Sequence, residues 1–310
     1  MKKSHNIHLL SLLAALTASV IFGMSFMFSR IAMNYAQPVV LLAFRFTVAV
    51  AVMSLALLVN ELVGKLRGRK LFAFSLRGKP VWKLLLLGLV QPVAYFVFEN
   101  YGILYTSTAV SGTIIAVVPV GCILMDVLIL HERVTARQVL CAVGAVGGVA
   151  LISAGGVVTV SFIGMVFLIL TMLSDIFYYG MTHEAAKQFT PFEMTYLMFV
   201  VGMVVFIPVA LIVSGGVTEA ILAPARSSGF WLAVLYLGVL SSGLAYGLLN
   251  FANSHLTVTE TSLFSNVVTV VSVLAGVILL KEPFTLLQII GVVLILTCVF
   301  IANVAGKKNG

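Results

Sequence analysis

Long apolar runs alternate with short polar turns along the whole chain. A helix crossing the hydrocarbon core of a bilayer needs about 20 mainly apolar residues. Ten stretches meet that length: 9–33, 38–60, 81–105, 108–130, 136–153, 160–183, 193–214, 230–254, 259–280 and 286–304. Polar residues inside them follow a helical spacing of three to four. Span 3 carries Gln91, Tyr95 and Glu99; span 6 carries Thr171, Ser174, Asp175, Tyr178 and Thr182; span 8 carries Ser242, Tyr246, Asn250 and Asn253. Span 9 adds Thr261, Ser262, Ser265, Asn266, Thr269 and Ser272, and span 1 adds Ser25 and Ser29. A polar side chain in hydrocarbon is costly unless it faces protein or water. The stripes therefore predict an inner ring of spans 1, 3, 4, 6, 8 and 9 around a cavity, with 2, 5, 7 and 10 outside. Any single hydroxyl also serves as interhelical glue, contributing about 1 kcal/mol or less; stripes on facing spans are what argue for a cavity.

The turns repeat as well as the spans. LILHERVTARQ at 128–138 is echoed by ILLKEPFTLLQ at 278–288, so that Glu132, Thr135 and Gln138 recur as Glu282, Thr285 and Gln288, each 150 positions on. Thr-x-x-Gln is a capping box, in which the threonine oxygen accepts from the N3 amide and the glutamine reaches back to the cap. Helices are expected to begin at 136 and 286, with each glutamate facing the amides of the helix that follows it. Laying 105–144 on 255–294 matches ten positions, and the same offset pairs Gly88 with Gly238 and Asn100 with Asn250. Five spans per half is an odd number, so the second half enters the membrane from the opposite side. The predicted fold is an all-α integral membrane protein of two inverted five-helix repeats, 1–155 and 156–310, in one transmembrane domain.

Composition agrees with this pattern, since 61% of the residues are hydrophobic and 9% charged, whereas soluble domains carry about 25% charged residues. The net charge of +8 does not indicate a nucleic-acid partner. The basic residues gather at the amino terminus, in 60–80, at 131–136, at 184–192 and in the tail, which are alternate connections. By the positive-inside rule both termini of this multi-pass cell-membrane protein are cytoplasmic. The loop carrying Lys65, Arg67, Arg69, Lys70, Arg77 and Lys79 reads as a topology determinant in contact with anionic lipid. Cys122, Cys141 and Cys298 lie within apolar runs and read as small buried hydrophobes. The first residues share features with a signal peptide, but the apolar run continues to Met33 and the repeat requires it, so an uncleaved first span is expected.

Candidate chemistry lies in the spans. Pro119 frees the carbonyl of Ile115, and Thr269, at the equivalent place in span 9, has a hydroxyl able to bond its own upstream carbonyl; Pro92 sits beside Gln91. Bent helices at mid-depth are where transporters place substrate. Asp175 falls near the midplane, as a proton carrier, a partner for a substrate amine, or a structural aspartate bonded to Tyr95 or Tyr246. The expected substrate cavity comprises Ser25, Gln91, Tyr95, Pro119, Ser174, Asp175, Tyr178, Ser242, Tyr246, Asn250, Ser265, Asn266 and Thr269. Arg30, Arg45 and Glu99 form an expected outer gate or ion pair, with Arg45 on Glu99 and Arg30 reaching outward or drawing in an anion. The turn residues Glu132, Thr135, Gln138, Glu282, Thr285 and Gln288 are structural hinges. Gly144, Gly147 and Gly148, and Gly243 with Gly247, permit close helix contacts between repeats or between subunits. Metal-ligand spacings, phosphate loops and nucleophile elbows are absent from the sequence, and its carboxylates and histidines are scattered over both surfaces, which argues against an enzyme.

The stretch GILYTSTAVSGTIIAVVPVGCILMDVLILHERVTARQ resembles the EamA family of the drug/metabolite transporter superfamily. The likeness lies in the YTS-type start of span 4, its central proline, the ER-T-x-x-Q hinge and their echo in span 9; Phe22 stands where such proteins often have tryptophan, and Thr269 replaces the second proline. The resemblance implies ten helices in two halves and a secondary transporter, often an exporter of amino acids, nucleobases or other small metabolites, without a bound cofactor. Its partners are then a small-molecule substrate, membrane lipid and, for proton antiport through Asp175, protons. A proton-independent facilitator, a channel, a lipid scramblase and, further off, an intramembrane enzyme are the alternatives.

Overall fold

The computed structural model of the chain describes residues 2–67, 72–122, 136–154 and 161–306, and every regular element among them is a helix. The principal helices are α1 (Lys2–Ala32), α2 (Pro38–Arg67), α3 (Trp82–Tyr105), α4 (Thr108–Cys122), α5 (Ala136–Ala154), α6 (Phe162–Ala185), α7 (Pro191–Val213), α8 (Ser228–Asn253), α9 (Glu260–Leu279) and α10 (Leu286–Gly306). Among the described residues, seven helices, α1 to α3 and α6 to α9, are long and apolar enough to cross a membrane, while α4, α5 and α10 contribute shorter apolar segments. The chain is a multi-pass membrane protein. A short helix, Glu219–Ala225, lies between α7 and α8, where the hydrophobic pattern predicts none.

Local chemistry sets the helix starts. Ser107 accepts from the Val110 amide at 3.2 Å to begin α4. Thr190 and Glu193 close a capping box ahead of α7, with Pro191 in the first turn, where a missing N–H costs nothing. Thr257 and Glu260 form a second box at the head of α9. Thr285 and Gln288 form the expected one, with the Thr285 amide on Gln288 Oε1 at 2.9 Å and the Gln288 amide on Thr285 Oγ1 at 3.3 Å. A helix does begin at Leu286, and α5 is helical from Ala136, the first described residue after Cys122. Glu132 and Thr135, and the side chain of Gln138, lie outside the described residues.

Glu282 does not face its own helix. Its carboxylate accepts from the Thr108 amide and the Ala109 amide, each at 3.0 Å, at the start of α4. The chain leaves α9 through Lys281 at a φ of 54°, and the Glu282 amide returns to the Gly276 carbonyl at 3.0 Å. That turn carries the carboxylate to the free amides of a neighbouring helix, the positive end of its dipole. Part of the basic loop is pinned in a similar way: Glu193 accepts from the Ser75 amide at 2.7 Å and from Lys79 at 2.5 Å, and Asn60 brackets the Phe72 backbone.

α5 packs on α10, α2 on α7 and α4 on α9; α3 meets α6 as α1 meets α8, and α2 meets α8 as α3 meets α7. Glycines allow the α5–α10 approach, since a Cβ on Gly148 would stand 2.9 Å from the Gly291 carbonyl oxygen, and one on Gly291 2.7 Å from that of Gly148. Gly144 meets Cys298 of α10, whereas a Cβ on Gly147 would meet open space. Gly243 and Gly247 line an apolar groove with residues of α2 and α7. Behind the centre, Phe46 of α2 stacks on Phe199 and Phe206 of α7 with ring centroids 5.4 and 5.6 Å apart.

Candidate functional site

The helices of the centre are broken where polar residues gather. α3 leaves helical geometry at Gln91, with φ −146° and ψ 115°, immediately before Pro92. α8 widens into π-helical turns over Tyr236–Ala245. α4 tightens at Ala116 and Val117, whose amides bond carbonyls three residues back, and Pro119 follows, leaving the Ile115 carbonyl without its helical partner. The Thr269 hydroxyl bonds the Ser265 carbonyl upstream at 3.1 Å, as expected, and also the Gly112 carbonyl of α4 at 2.8 Å.

Between these segments lies a small cavity of about 30 Å³, room for one or two water molecules. Its wall draws on α1, α3, α4, α6, α8 and α9, the six helices expected to form the inner ring. Of the cavity residues expected from the sequence, Ser25, Gln91, Tyr95, Asp175, Tyr246 and Ser265 are on this wall, and Glu99, expected at an outer gate, is there too. Tyr95 donates to Glu99 Oε1 at 3.2 Å, and the Gln91 amide nitrogen donates to the Tyr246 hydroxyl. Asp175 lines the same wall as Gln91 and Tyr246. Phe22 meets Tyr246 edge to face, centroids 4.9 Å apart.

The other expected cavity residues do other work. Ser174 bonds the Leu170 carbonyl of its own helix at 2.9 Å. Tyr178 donates to Asn250 Oδ1, and Asn250 Nδ2 to Thr195, each at 2.8 Å, which joins α6, α8 and α7 in one buried chain. Ser242 accepts from Arg45, and Thr269 binds α4 as above. Pro119 and Asn266 are not on the wall either. A polar stripe one residue wide covers more than the cavity, and its edges go to neighbouring helices.

The expected Arg45–Glu99 pair is absent. Arg45, 1% exposed, gives Nε to Ser242 and Nη2 to Ser241, both at 3.0 Å, with its guanidinium carbon 4.0 Å from the Phe96 ring centre. The π-turns of α8 place two adjacent hydroxyls within reach of a fork-shaped donor, which competes with the carboxylate. Arg30 donates through Nη1 to the Ile103 and Leu104 carbonyls at 3.0 and 3.3 Å, satisfying the last turn of α3. Among the described residues no three His, Cys, Asp or Glu side chains gather as metal ligands.

Sequence reasoning missed the apolar part of the wall, notably Phe22, Phe26, Phe96, Tyr179, Leu249 and Val268. The signal was present: Ser19, Phe22 and Phe26, Asp175 and Tyr179, and Ser265 and Val268 are spaced by three or four, so each apolar residue shares a helix face with a polar one.

The sequence profile of the EamA-like transporter family matches residues 9–154 and again 162–304. An uncharacterized transporter of Bacillus subtilis, YcxC, is 33% identical over 302 residues, covering 96% of this chain and 94% of its own. A probable terminal-alkyne amino-acid exporter of Streptantibioticus cattleyicolor is 24% identical, over 73% of this chain and 74% of its own. A crystal structure of a protein 18% identical superposes with a TM-score of 0.66 over 96% of this chain and 98% of that one, so the two share a fold.

Proposed function

The chain belongs to the EamA-like transporter family, and on that premise we propose that it is a secondary transporter, exporting a small organic solute by alternating access. The ten helices form two inverted repeats, 1–155 and 156–310, that rock about the central cavity and open it to one face at a time. The observation that carries this reading is the cavity itself, walled by broken helices and about 30 Å³ in volume. A broken helix at mid-depth exposes backbone groups that are tolerated only against a cavity or other protein. The helix contacts favour the same reading, because exchanging α1–α5 with α6–α10 maps α2·α7, α4·α9 and α5·α10 onto themselves and α3·α6 onto α8·α1.

In this mechanism Gln91, Tyr95, Glu99, Asp175 and Tyr246 hold the solute, and Glu282 closes one end by fastening the start of α4 to the α9–α10 corner. The protein sits in the cell membrane with both termini in the cytoplasm, as its basic connections favour. Asp175 exchanges a proton against the solute. Two experiments test this: metabolites in the medium of overproducing cells compared with cells lacking the protein, and counterflow in proteoliposomes. Saturable counterflow is expected; non-saturable flux marks a channel or scramblase. Asp175→Asn is expected to abolish flux driven by a pH gradient, and undiminished driven flux refutes the proton role.

A further inference from the structure

Resting on the transport reading above, we infer that the cavity recognises the ammonium group of a monocationic organic amine and rejects solutes that carry a carboxylate. The free polar atoms at the wall are predominantly acceptors. Glu99 Oε2 and Gln91 Oε1 are buried without a partner, each on a residue only 2% exposed, and Ser265 Oγ is in the same state. A carboxylate oxygen and an amide oxygen left bare in this way cost free energy, and a donor entering the cavity recovers it. The orientation of the Gln91 amide is fixed by its neighbours. Its nitrogen donates to the Tyr246 hydroxyl, which leaves the oxygen, on the same wall as Asp175, for a ligand.

Charge points the same way. With both ionised, Glu99 and Asp175 against the guanidinium of Arg45 would leave one uncompensated negative charge in the buried centre, which one cation would neutralise. Arg45 is not on the wall. Its Nε and Nη2 are held by Ser242 and Ser241 and its guanidinium lies over Phe96, so only Nη1, buried without a partner, remains free, behind the wall and outweighed there by the two carboxyl groups that line it. An ammonium brings three donors and no acceptor. Its nitrogen is about the size of a water molecule, which a cavity of about 30 Å³ accommodates. The rings of Phe22 and Tyr246 offer faces and edges to the cation and to the apolar body behind it.

The test uses four matched compounds: 2-phenylethylamine, 2-phenylethanol, phenylalanine and 3-phenylpropionate. Their binding to the purified full-length protein is read by thermal stabilisation and isothermal titration, and their flux by counterflow in proteoliposomes. The amine is expected to bind at least about tenfold more tightly than the alcohol, as charge-assisted hydrogen bonds require, and more tightly than the zwitterion or the acid. Glu99→Gln and Asp175→Asn are each expected to reduce amine binding by at least about tenfold while alcohol binding stays within about twofold. Binding of phenylalanine or phenylpropionate as tight as that of the amine overturns the inference, and so does absence of amine binding to the wild-type protein. The wild-type comparison decides even if a variant fails to fold. Amine binding without counterflow overturns the transport reading and leaves the recognition claim standing; counterflow of the zwitterion without the amine does the reverse.

Discussion

Replacing Glu282 by glutamine removes a charge from one corner of the molecule while keeping its shape. In the wild-type protein the carboxylate accepts from the Thr108 and Ala109 amides, each at 3.0 Å. Hydrogen bonds to a charged group contribute about 1.5–3 kcal/mol each, and a negative charge at a helix start adds about 0.3–1 kcal/mol. Glutamine keeps one accepting oxygen and turns a donor towards the second amide, so about one charge-assisted bond and the dipole contribution are lost. Ser107 still caps Val110, which limits the damage to the first amides. The expected cost is about 2 kcal/mol for opening this corner, equivalent to about a thirtyfold rise in the open population. Hydrogen exchange of peptides covering 105–115, followed by mass spectrometry, reads that population. The Thr108 and Ala109 amides of Glu282→Gln are expected to exchange about ten to thirty times faster, with a lowered melting temperature in detergent. Unchanged exchange at both amides would refute the claim that Glu282 fastens α4.

Two further substitutions test the frame around the cavity. Tyr178→Phe leaves the buried Asn250 Oδ1 without its donor and is expected to destabilise the protein by about 1–2 kcal/mol, read as a lower melting temperature with the circular-dichroism spectrum intact. Gly291→Ala drives a methyl group against the Gly148 carbonyl, 2.7 Å away, and is expected to cost about 1–3 kcal/mol through overpacking; a melting temperature equal to wild type argues against a close α5–α10 contact.

Helix positions and the inward face were legible because hydrocarbon imposes one rule on every span: a polar residue must find protein or water. That rule identifies a face but not which side chains on it reach the centre. Gln91, Tyr95 and Asp175 line the cavity, whereas Tyr178 and Asn250, on equally polar stripes, bond to one another. Partner choice was less legible still. Arg45 and Glu99 are an obvious pair in sequence, yet the π-turns of α8 present Ser241 and Ser242 to the guanidinium. Nothing in the hydrophobic pattern announces those turns. Glu282 had a recognisable chemistry, a carboxylate near helix amides, but its partner helix lies more than 170 residues away. The boxes at Thr190 and Thr257 are Thr-x-x-Glu, the acidic form of the Thr-x-x-Gln pattern that located Thr285, and were readable by the same rule.

Alternating access at one cavity can be measured with a single thiol. With Cys122, Cys141 and Cys298 replaced, Ser25→Cys places a reactive group on the cavity wall. Ala109→Cys with Gly276→Cys supplies a lock at the Glu282 end, since a Cβ on Gly276 stands 3.2 Å from that of Ala109, so a shift of a few tenths of an ångström apart brings the pair into the disulfide range of about 3.5–4.5 Å. A membrane-impermeant maleimide is added to right-side-out and to inside-out vesicles. The thiol at position 25 is expected to react from both faces when the lock is reduced, and only from the face opposite Glu282 when it is oxidised. Labelling from both faces with the lock closed, or no labelling from the Glu282 face with it open, would contradict the mechanism.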